Sequence, residues 1–287
     1  MLKRKNIISV GIPVYGQKIY LRQCLKSLAK NVSLEMELII VDDCSKENIK
    51  TEVEAFISKQ KPKNILKVVF IRNNNNMGFP HNANIILNNS KEKIICILNS
   101  DTYVCPNAFE RIVKLMNSDN KIIIAGPTTS QANSNQEIYE FSKERFISEK
   151  EILKKGESIE KRFRNNILEL SQRETNSQIQ GFCFFIKKEA IKRIGYFDEI
   201  YGLGTYEESD YNSRADFLGH KAVWVKKAYV HHFGQRSWSI RQKVKFLYSC
   251  KKNEAVWLKK MKCLNSNNIK KVKRFKNSFI KEILYEK

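Results

Sequence analysis

The sequence predicts an α/β fold with a mostly parallel central sheet flanked by helices. Residues 1–126 contain five short apolar runs rich in β-branched residues, and these runs lack the apolar–polar alternation of a half-exposed strand. Such runs are typical of strands that are buried on both faces. The five runs are IISVGIPV (7–14), ELIIVDD (37–43), LKVVFI (66–71), KIICILN (93–99) and KIIIAG (121–126).

Helical patterns separate the runs, at about 18–30, 46–60, 79–89 and 106–118. An order in which strands and helices alternate indicates parallel strands joined by right-handed crossovers. Ligands of such sheets bind at the carboxyl ends of the strands. The search for a functional site therefore starts there.

The rest of the chain divides by composition. Residues 127–178 are first polar and turn-rich, then charged and helical over about 143–172, which predicts a variable insert with a mobile helix. Apolar runs return over 179–240, so we expect one domain at 1–240 with halves at 1–126 and 179–240. Residues 241–287 are lysine-rich and partly amphipathic, which predicts a basic helical extension.

Charge is concentrated in that extension. Residues 241–287 hold 15 Lys and Arg against 3 Asp and Glu, which is +12 of the total net charge of +22. A basic amphipathic tail is attracted to an anionic membrane surface. The alternative is a helix that packs on the domain with its lysines in solvent, and the sequence leaves both open. Nucleic acid is not expected as a partner, because no nucleic-acid-binding motif is present.

The seven cysteines are odd in number, have no C-x-x-C spacing and lie mostly in apolar runs. They are therefore expected to be reduced, as in a cytosolic protein. No apolar run approaches the roughly 18 residues of a spanning helix. The basic and apolar start of the chain lacks a cleavage site and is interpreted as the first strand. We expect a cytoplasmic protein.

Polar side chains follow three of the predicted strands. The segments are IPVYG, VDDCS and LNSDT, and each ends a buried run. Carboxylates there could accept hydrogen bonds from a base or ribose, or hold a divalent cation beside a diphosphate. They could equally cap a helix or close a turn. Neither G-x-G-x-x-G nor the P-loop pattern is present. The candidates for ligand binding are Pro13, Tyr15, Asp42, Asp43, Asn99, Ser100 and Asp101.

The ordered series IPVYG, ELIIVDDCS, NNNNMGFPHNANIIL and CILNSDT resembles the family 2 glycosyltransferases of the GT-A fold, whose sheet is Rossmann-like. The resemblance implies that Asp43, with Asp42 beside it, contacts the nucleobase of a nucleotide-sugar. It implies that Gly78 and Asn84 lie near this donor. The D-x-D-type segment that binds metal and diphosphate is Asn99-Ser100-Asp101, in which Asn99 replaces the first acid.

The resemblance continues to about residue 240. It implies that the general base lies in Glu207-Glu208-Ser209-Asp210, at Glu208, where the family has Asp. Acids there could also merely favour the helix N-terminus. The H-x-G segment implies a metal-ligating His232, with His231 as the alternative, although a histidine is more often structural. Trp238 is a candidate for stacking on a sugar ring. His81 and His220 are expected to be surface or helix residues.

The function implied is inverting transfer of a sugar from a UDP-, dTDP- or GDP-sugar, with Mn²⁺ or Mg²⁺ on the diphosphate. The acceptor would be a hydroxyl of a glycan, lipid-linked or protein acceptor. In this view 1–126 binds the donor and 179–240 carries the acceptor and catalytic groups. The alternatives are a non-catalytic binding or scaffold protein that keeps the fold and, from the net charge alone, a nucleic-acid-binding protein.

Overall fold

The structure is a computed structural model, and it describes residues 7–132, 134–142, 147–163, 167–169, 178–234, 240–263 and 279–286. The first half follows the predicted alternation closely. Its elements are β1 (Ile7–Val14), α1 (Lys18–Asn31), β2 (Glu35–Asp42), α2 (Ile49–Gln60), β3 (Ile65–Asn73), α3 (Phe79–Asn89) and β4 (Ile94–Leu98).

The remaining elements build the second half of the sheet. They are β5 (Thr102–Val104), α4 (Ala108–Ser118), β6 (Ile122–Thr128), α5 (Tyr139–Ser142), α6 (Glu149–Arg162), β7 (Ile167–Glu169), β8 (Cys183–Lys187), α7 (Lys188–Ile194), α8 (Glu207–Phe217), β9 (Lys221–His232), α9 (Ile240–Cys263) and β10 (Phe279–Glu286). A short 3-10 turn at Glu199–Tyr201 precedes α8.

The sheet has the strand order β10-β3-β2-β1-β4-β8-β6-β9-β5, and β7 also pairs with β9. Strands β3, β2, β1 and β4 are parallel neighbours. Strand β8 is antiparallel and lies between β4 and β6, so the fifth predicted strand is not next to the fourth. The prediction of a mostly parallel sheet flanked by helices is confirmed.

Buried side chains fill both faces of this sheet. Helices α1, α2 and α4 pack on one face, and α3, α7 and α8 pack on the other. The approach of α3 is close: a Cβ on Gly11 of β1 would lie 2.1 Å from Cγ2 of Ile86. Because strands β1, β2 and β4 are buried on both faces, their apolar runs do not alternate. These three strands are parallel, so their carboxyl ends meet at one edge of the sheet.

The insert differs from the prediction. Its charged segment forms α6 over a shorter range, and Ser148 and Glu151 close a capping box at the N-terminus of that helix. Helix α6 is packed, because Ile152 and Ile159 are buried against β5 and β9. Residues 167–169 then form β7, which is antiparallel to β9. Expected positions in 143–146, 164–166 and 170–177 lie outside the described residues.

The prediction that the whole extension 241–287 is helical is wrong for residues 279–286. They form β10, antiparallel to β3, and β10 thereby occupies the edge of the sheet. Lys50 pairs with Glu282, and Lys67 pairs with Glu286 at 2.7 Å. The backbone groups of β3 would otherwise be unpaired at that edge, which favours addition of a strand. Among the described residues no helix is both long and apolar enough to cross a bilayer.

Candidate active site

The turn after β2 separates the roles of its two acids. Asp42 is fully buried, accepts a hydrogen bond from the backbone N–H of Ser45 at 2.9 Å, and pairs with Arg72 of β3. The hydroxyl of Ser45 in turn accepts from the N–H of Gly16 at 2.7 Å. Asp42 therefore holds the turn after β2, and Ser45 of that turn contacts the segment after β1. Its suggested contact with a nucleobase stays a prediction.

Asp43 holds the loop before α3. Its carboxylate accepts from the backbone N–H groups of Met77 at 2.8 Å and Gly78 at 2.9 Å, and from the side-chain amide of Asn73 at 2.9 Å. These bonds bury the acid and tie the end of β2 to the loop at 74–78. The nucleobase contact implied by the resemblance is untested by this arrangement.

Gly78 and Asn84 join the two halves of the domain. Gly78 has φ +84°, and a Cβ there would lie 2.4 Å from the carbonyl oxygen of Gly202. The side chain of Asn84 accepts from the N–H of Phe197 at 2.9 Å and donates to its carbonyl at 3.0 Å. It also donates to Glu199 at 2.8 Å. Both residues thus connect α3 to the loop that precedes α8.

His81 belongs to the same junction and was not singled out from the sequence. It is buried, and its Nδ1 lies 3.0 Å from the carboxylate of Glu199. His81 was expected to be a surface or helix residue. It does lie on helix α3, but it is not on the surface. The available signal was spacing: Gly78, His81 and Asn84 are three residues apart and share one face of α3.

Asp101 and His232 come together at the end of β4. The register of β5 with β9 sets Thr102 opposite His232, and Nε2 of His232 lies 3.3 Å from Oδ1 of Asp101. Asn99 is beside them, with Nδ2 at 3.5 Å from the same Nε2. The resemblance brought these residues together as a candidate site, and the structure shows them as neighbours.

The imidazole of His232 is held in one orientation. Its Nδ1–H donates to the carbonyl of Gln131 at 2.8 Å, and the ring of Phe182 stacks on it at 5.4 Å. Because a carbonyl only accepts, Nδ1 carries a proton and Nε2 is directed at Asp101. Metal-ligating histidines are commonly oriented by such a bond at the other nitrogen. The pair therefore fits Mn²⁺ or Mg²⁺.

Electrostatics favour a charged pair when no cation is present. Burial acts against both charges, but the charge and hydrogen bond of His232 leave the pKa of Asp101 below its ordinary value. The same interaction leaves the pKa of His232 above its ordinary value despite burial. Within the described residues no group of three or more His, Cys, Asp or Glu could hold a metal. The pair would thus supply two ligands and leave the others to a diphosphate and water.

The residue two positions after His232 is Gly234, and the local backbone accounts for a glycine there. Its φ is +62°, and a Cβ there would lie 2.2 Å from Oε1 of Gln131. A hydrogen bond from the backbone at Gly234 is also one of the causes that lower the pKa of Asp101. A Cβ there would require the Gln131 side chain to move, and the left-handed backbone itself favours glycine.

Other predicted positions are dispersed. His231 faces the opposite side of β9 from His232, as strand alternation requires, and its Nδ1 lies 3.1 Å from the hydroxyl of Tyr229. It is buried and does not point at Asp101. Pro13 pairs with Val41 within the sheet, Tyr15 is exposed and Ser100 is half-buried in the turn after β4. Trp238 lies outside the described residues.

Glu207 and Glu208 open α8 as a pair of carboxyl groups taken out of solvent. Burial raises the pKa of both, and the charges of Glu208 and Asp210 raise that of Glu207 further. Both carboxyl groups therefore hold a proton more tightly than a glutamate in solvent does.

Glu208 and the Asp101–His232 pair are both next to one short segment, residues 181–182. A Cβ on Gly181 would lie 3.9 Å from Cδ of Glu208. The next residue, Phe182, accepts from the N–H of Asn99 at 2.8 Å and stacks on His232. Two consecutive residues just before β8 thus contact the candidate base on one hand and a candidate metal ligand on the other.

Asp210 differs from its neighbours. It is fully buried, its Oδ2 accepts from Nε of Arg214 at 2.8 Å, and its Oδ1 pairs with Lys260 of α9. The hydroxyl of Tyr201 lies 3.4 Å from the same carboxylate. With two cations as partners, Asp210 anchors α8 in the fold. The sequence grouped it with the catalytic acids.

Comparisons with known proteins identify the family of the chain. Residues 9–195 match the family described as Glycosyl transferase family 2. An uncharacterized glycosyltransferase of Haemophilus influenzae is 30% identical over 116 residues, 40% of this chain and 36% of that protein. Glycosyltransferase GlyG of Streptococcus pneumoniae is 26% identical over 121 residues, 42% of this chain and 38% of that protein. The matched segment spans less than two-fifths of either relative.

Solved structures extend the similarity to the fold. The mannosyltransferase PcManGT from Pyrobaculum calidifontis, in complex with GDP-Man and Mn²⁺, has a TM-score of 0.64 at 13% identity, covering 90% of this chain and 65% of that one. TarS of S. aureus (residues 1–349) with UDP-GlcNAc has a TM-score of 0.56 at 17% identity, covering 91% and 74%.

The molecule is an α/β protein of the GT-A type, with acidic side chains at the carboxyl ends of its strands. It belongs to glycosyl transferase family 2, and the resemblance found in the sequence is confirmed.

Proposed function

We propose that this protein is an inverting, metal-dependent glycosyltransferase that uses a nucleotide-sugar donor. The observation that carries the proposal is that a carboxyl pair with raised pKa values and an Asp–His pair lie next to the consecutive residues Gly181 and Phe182. One group suits proton removal and the other suits a cation on a diphosphate. Neighbouring folds bound to GDP-Man with Mn²⁺ and to UDP-GlcNAc support a donor of this class.

Asp101 and Nε2 of His232 would hold Mn²⁺ or Mg²⁺, and Asn99 lies beside them. When bound, the cation would offset the charge that develops on the leaving diphosphate. We assign the nucleoside end of the donor to Asp43 and the loop that it holds, at the carboxyl end of β2. UDP-, dTDP- and GDP-sugars are the candidates, and the acceptor is a hydroxyl of a glycan, lipid-linked or protein acceptor.

Glu208 would remove the proton from the acceptor hydroxyl. The acceptor oxygen then forms a bond to the anomeric carbon as the bond from that carbon to the diphosphate breaks, so configuration inverts in one displacement. Burial raises the pKa of Glu208, and a base with a raised pKa accepts a proton more readily near neutral pH.

Thermal unfolding with a panel of nucleotide-sugars, with and without Mn²⁺, identifies the donor because a ligand of the folded state raises the melting temperature. Turnover is then compared for Glu208→Gln and the adjacent control Glu207→Gln. We expect Glu208→Gln to keep donor affinity and to lose about 100-fold or more in turnover. Normal turnover by Glu208→Gln would exclude it as the base. No transfer by the wild type with any donor would favour a binding protein.

A further inference from the structure

The loop that leads into the catalytic helix has a costly backbone conformation. Between the 3-10 turn and Glu207, residues Gly202, Gly204, Thr205 and Tyr206 all have positive φ, at +61°, +129°, +80° and +67°. For the two non-glycine residues such a conformation is strained, because the Cβ atom crowds the neighbouring carbonyl oxygen. It persists only where surrounding contacts hold it. The loop therefore needs an anchor, because the position of Glu208 follows directly from it.

Helix α9 supplies that anchor through a buried asparagine. The side-chain amide nitrogen of Asn253 lies 2.9 Å from the carbonyl oxygen of Tyr201, 2.8 Å from that of Gly204 and 3.2 Å from that of Thr205. Carbonyl oxygens only accept, so the NH₂ end of Asn253 faces the loop. The amide nitrogen is also 3.0 Å from the hydroxyl of Thr205.

Two further residues of α9 extend the contact along one helix face. Trp257 is buried, its Nε1–H donates to Ser213 of α8 at 3.3 Å, and its ring lies 5.8 Å from that of Tyr206. Lys260 pairs with Asp210 and with Asp198 at 2.8 Å. Spacings of four and three residues put Asn253, Trp257 and Lys260 on one stripe.

The opposite side of the loop is held by the donor half. The N–H of Phe79 donates to the carbonyl of Leu203 at 3.2 Å, and His81 and Asn84 contact Glu199. The loop thus lies between α3 and α9. Residues 240–263 lie beyond the part that matches the family, which ends at 195.

We propose that Asn253 is a positioning residue, which holds the loop at 201–206 so that Glu208 meets the acceptor hydroxyl. The inference rests on the proposed role of Glu208 as the base. Asn253 itself touches no reacting atom. Its loss should therefore lower turnover and leave donor binding unchanged, because the donor contacts come from strand ends on the other side of the crevice. A displacement of a catalytic group by about 1 Å can cost 100-fold.

The test compares Asn253→Ala, which removes the donors, with Asn253→Asp, which sets an oxygen against three carbonyl oxygens. The exposed neighbour Lys252→Ala is the matched control. We expect both Asn253 variants to lose about 10-fold or more in kcat, at an unchanged dissociation constant for the donor diphosphate with Mn²⁺. The kcat of Asn253→Asp relative to Asn253→Ala should rise as pH falls, because a protonated Asp can donate.

Hydrogen exchange supplies a measurement that does not depend on activity. Peptides covering 201–210 should exchange faster in both variants, while peptides of β2 stay protected. The positioning role is overturned if kcat stays within about twofold of wild type, if donor affinity falls in parallel with kcat, or if protection over 201–210 is unchanged. If Glu208→Gln turns over normally, the proposed function fails, while hydrogen exchange still decides whether Asn253 holds the loop.

Discussion

Replacement of Asp210 by Asn tests whether this acid serves the fold or the chemistry. Asp210 is fully buried between Arg214 and Lys260. Removing one partner of a buried ion pair costs about 3–5 kcal/mol, because a charge is left uncompensated. Lys260 keeps Asp198 at 2.8 Å, and Arg214 keeps two backbone carbonyls as acceptors. We therefore expect the lower end, a loss of about 3 kcal/mol in the free energy of unfolding.

Urea unfolding followed by circular dichroism measures this loss, and the total for a domain is about 5–15 kcal/mol. Glu208→Gln is the matched control on the same helix, because no cation pairs with its carboxylate among the described contacts. Donor affinity of the folded Asp210→Asn protein should match wild type. A loss below about 1 kcal/mol together with lost turnover would refute the structural role and return Asp210 to the catalytic acids.

Two other predictions follow from the crevice. The pKa of Glu207 is raised in the fold, so this group stays protonated there at a pH where it ionises in the unfolded chain, which begins near 4.5. The wild type therefore loses stability above that pH. Glu207→Gln has no such group, so its stability relative to wild type should increase as pH rises. Urea unfolding from about pH 4 to pH 7 measures the difference, and a gap that is constant with pH would contradict it. Asp101→Ala should remove the Mn²⁺-dependent part of donor affinity and keep the fold; calorimetry with unchanged Mn²⁺ dependence would exclude Asp101 as a ligand.

The strands could be predicted because burial on both faces of the sheet determines the residue type at each of their positions. Strands β1, β2 and β4 are buried on both faces, so apolar β-branched residues fill consecutive positions. The residue types of a strand do not show which other strands it pairs with. The sequence gives β8 as one more apolar run, and its antiparallel place between β4 and β6 depends on pairing across the domain.

The candidate site shows the same division. Asp101 and His232 could be named from their segments, and β5–β9 pairing brings them together. The role of an acid, in contrast, depends on what it faces. Asp42 meets Arg72, thirty residues later, and Asp210 meets Lys260, fifty residues later. Local spacing cannot show these cations, so acids that anchor the fold look the same in sequence as acids that line the crevice.

The sequence left two interpretations of the extension open, a tail that docks on an anionic surface and a helix that packs on the domain. Its net charge of +12 suggested a surface that meets polyanions. Three residues of α9 instead face the body of the domain, and they are an amide, an indole and a lysine: Asn253, Trp257 and Lys260. Only one of these three side chains is apolar in character, so the stripe is hard to detect as an apolar helix face in the sequence. Each of the three nevertheless has a specific partner in the domain. Lys260 in particular counts toward the basic charge of the tail, yet its partners are acids inside the domain. The basic charge of such a tail therefore predicts an external partner only after the acids of its own domain have been considered.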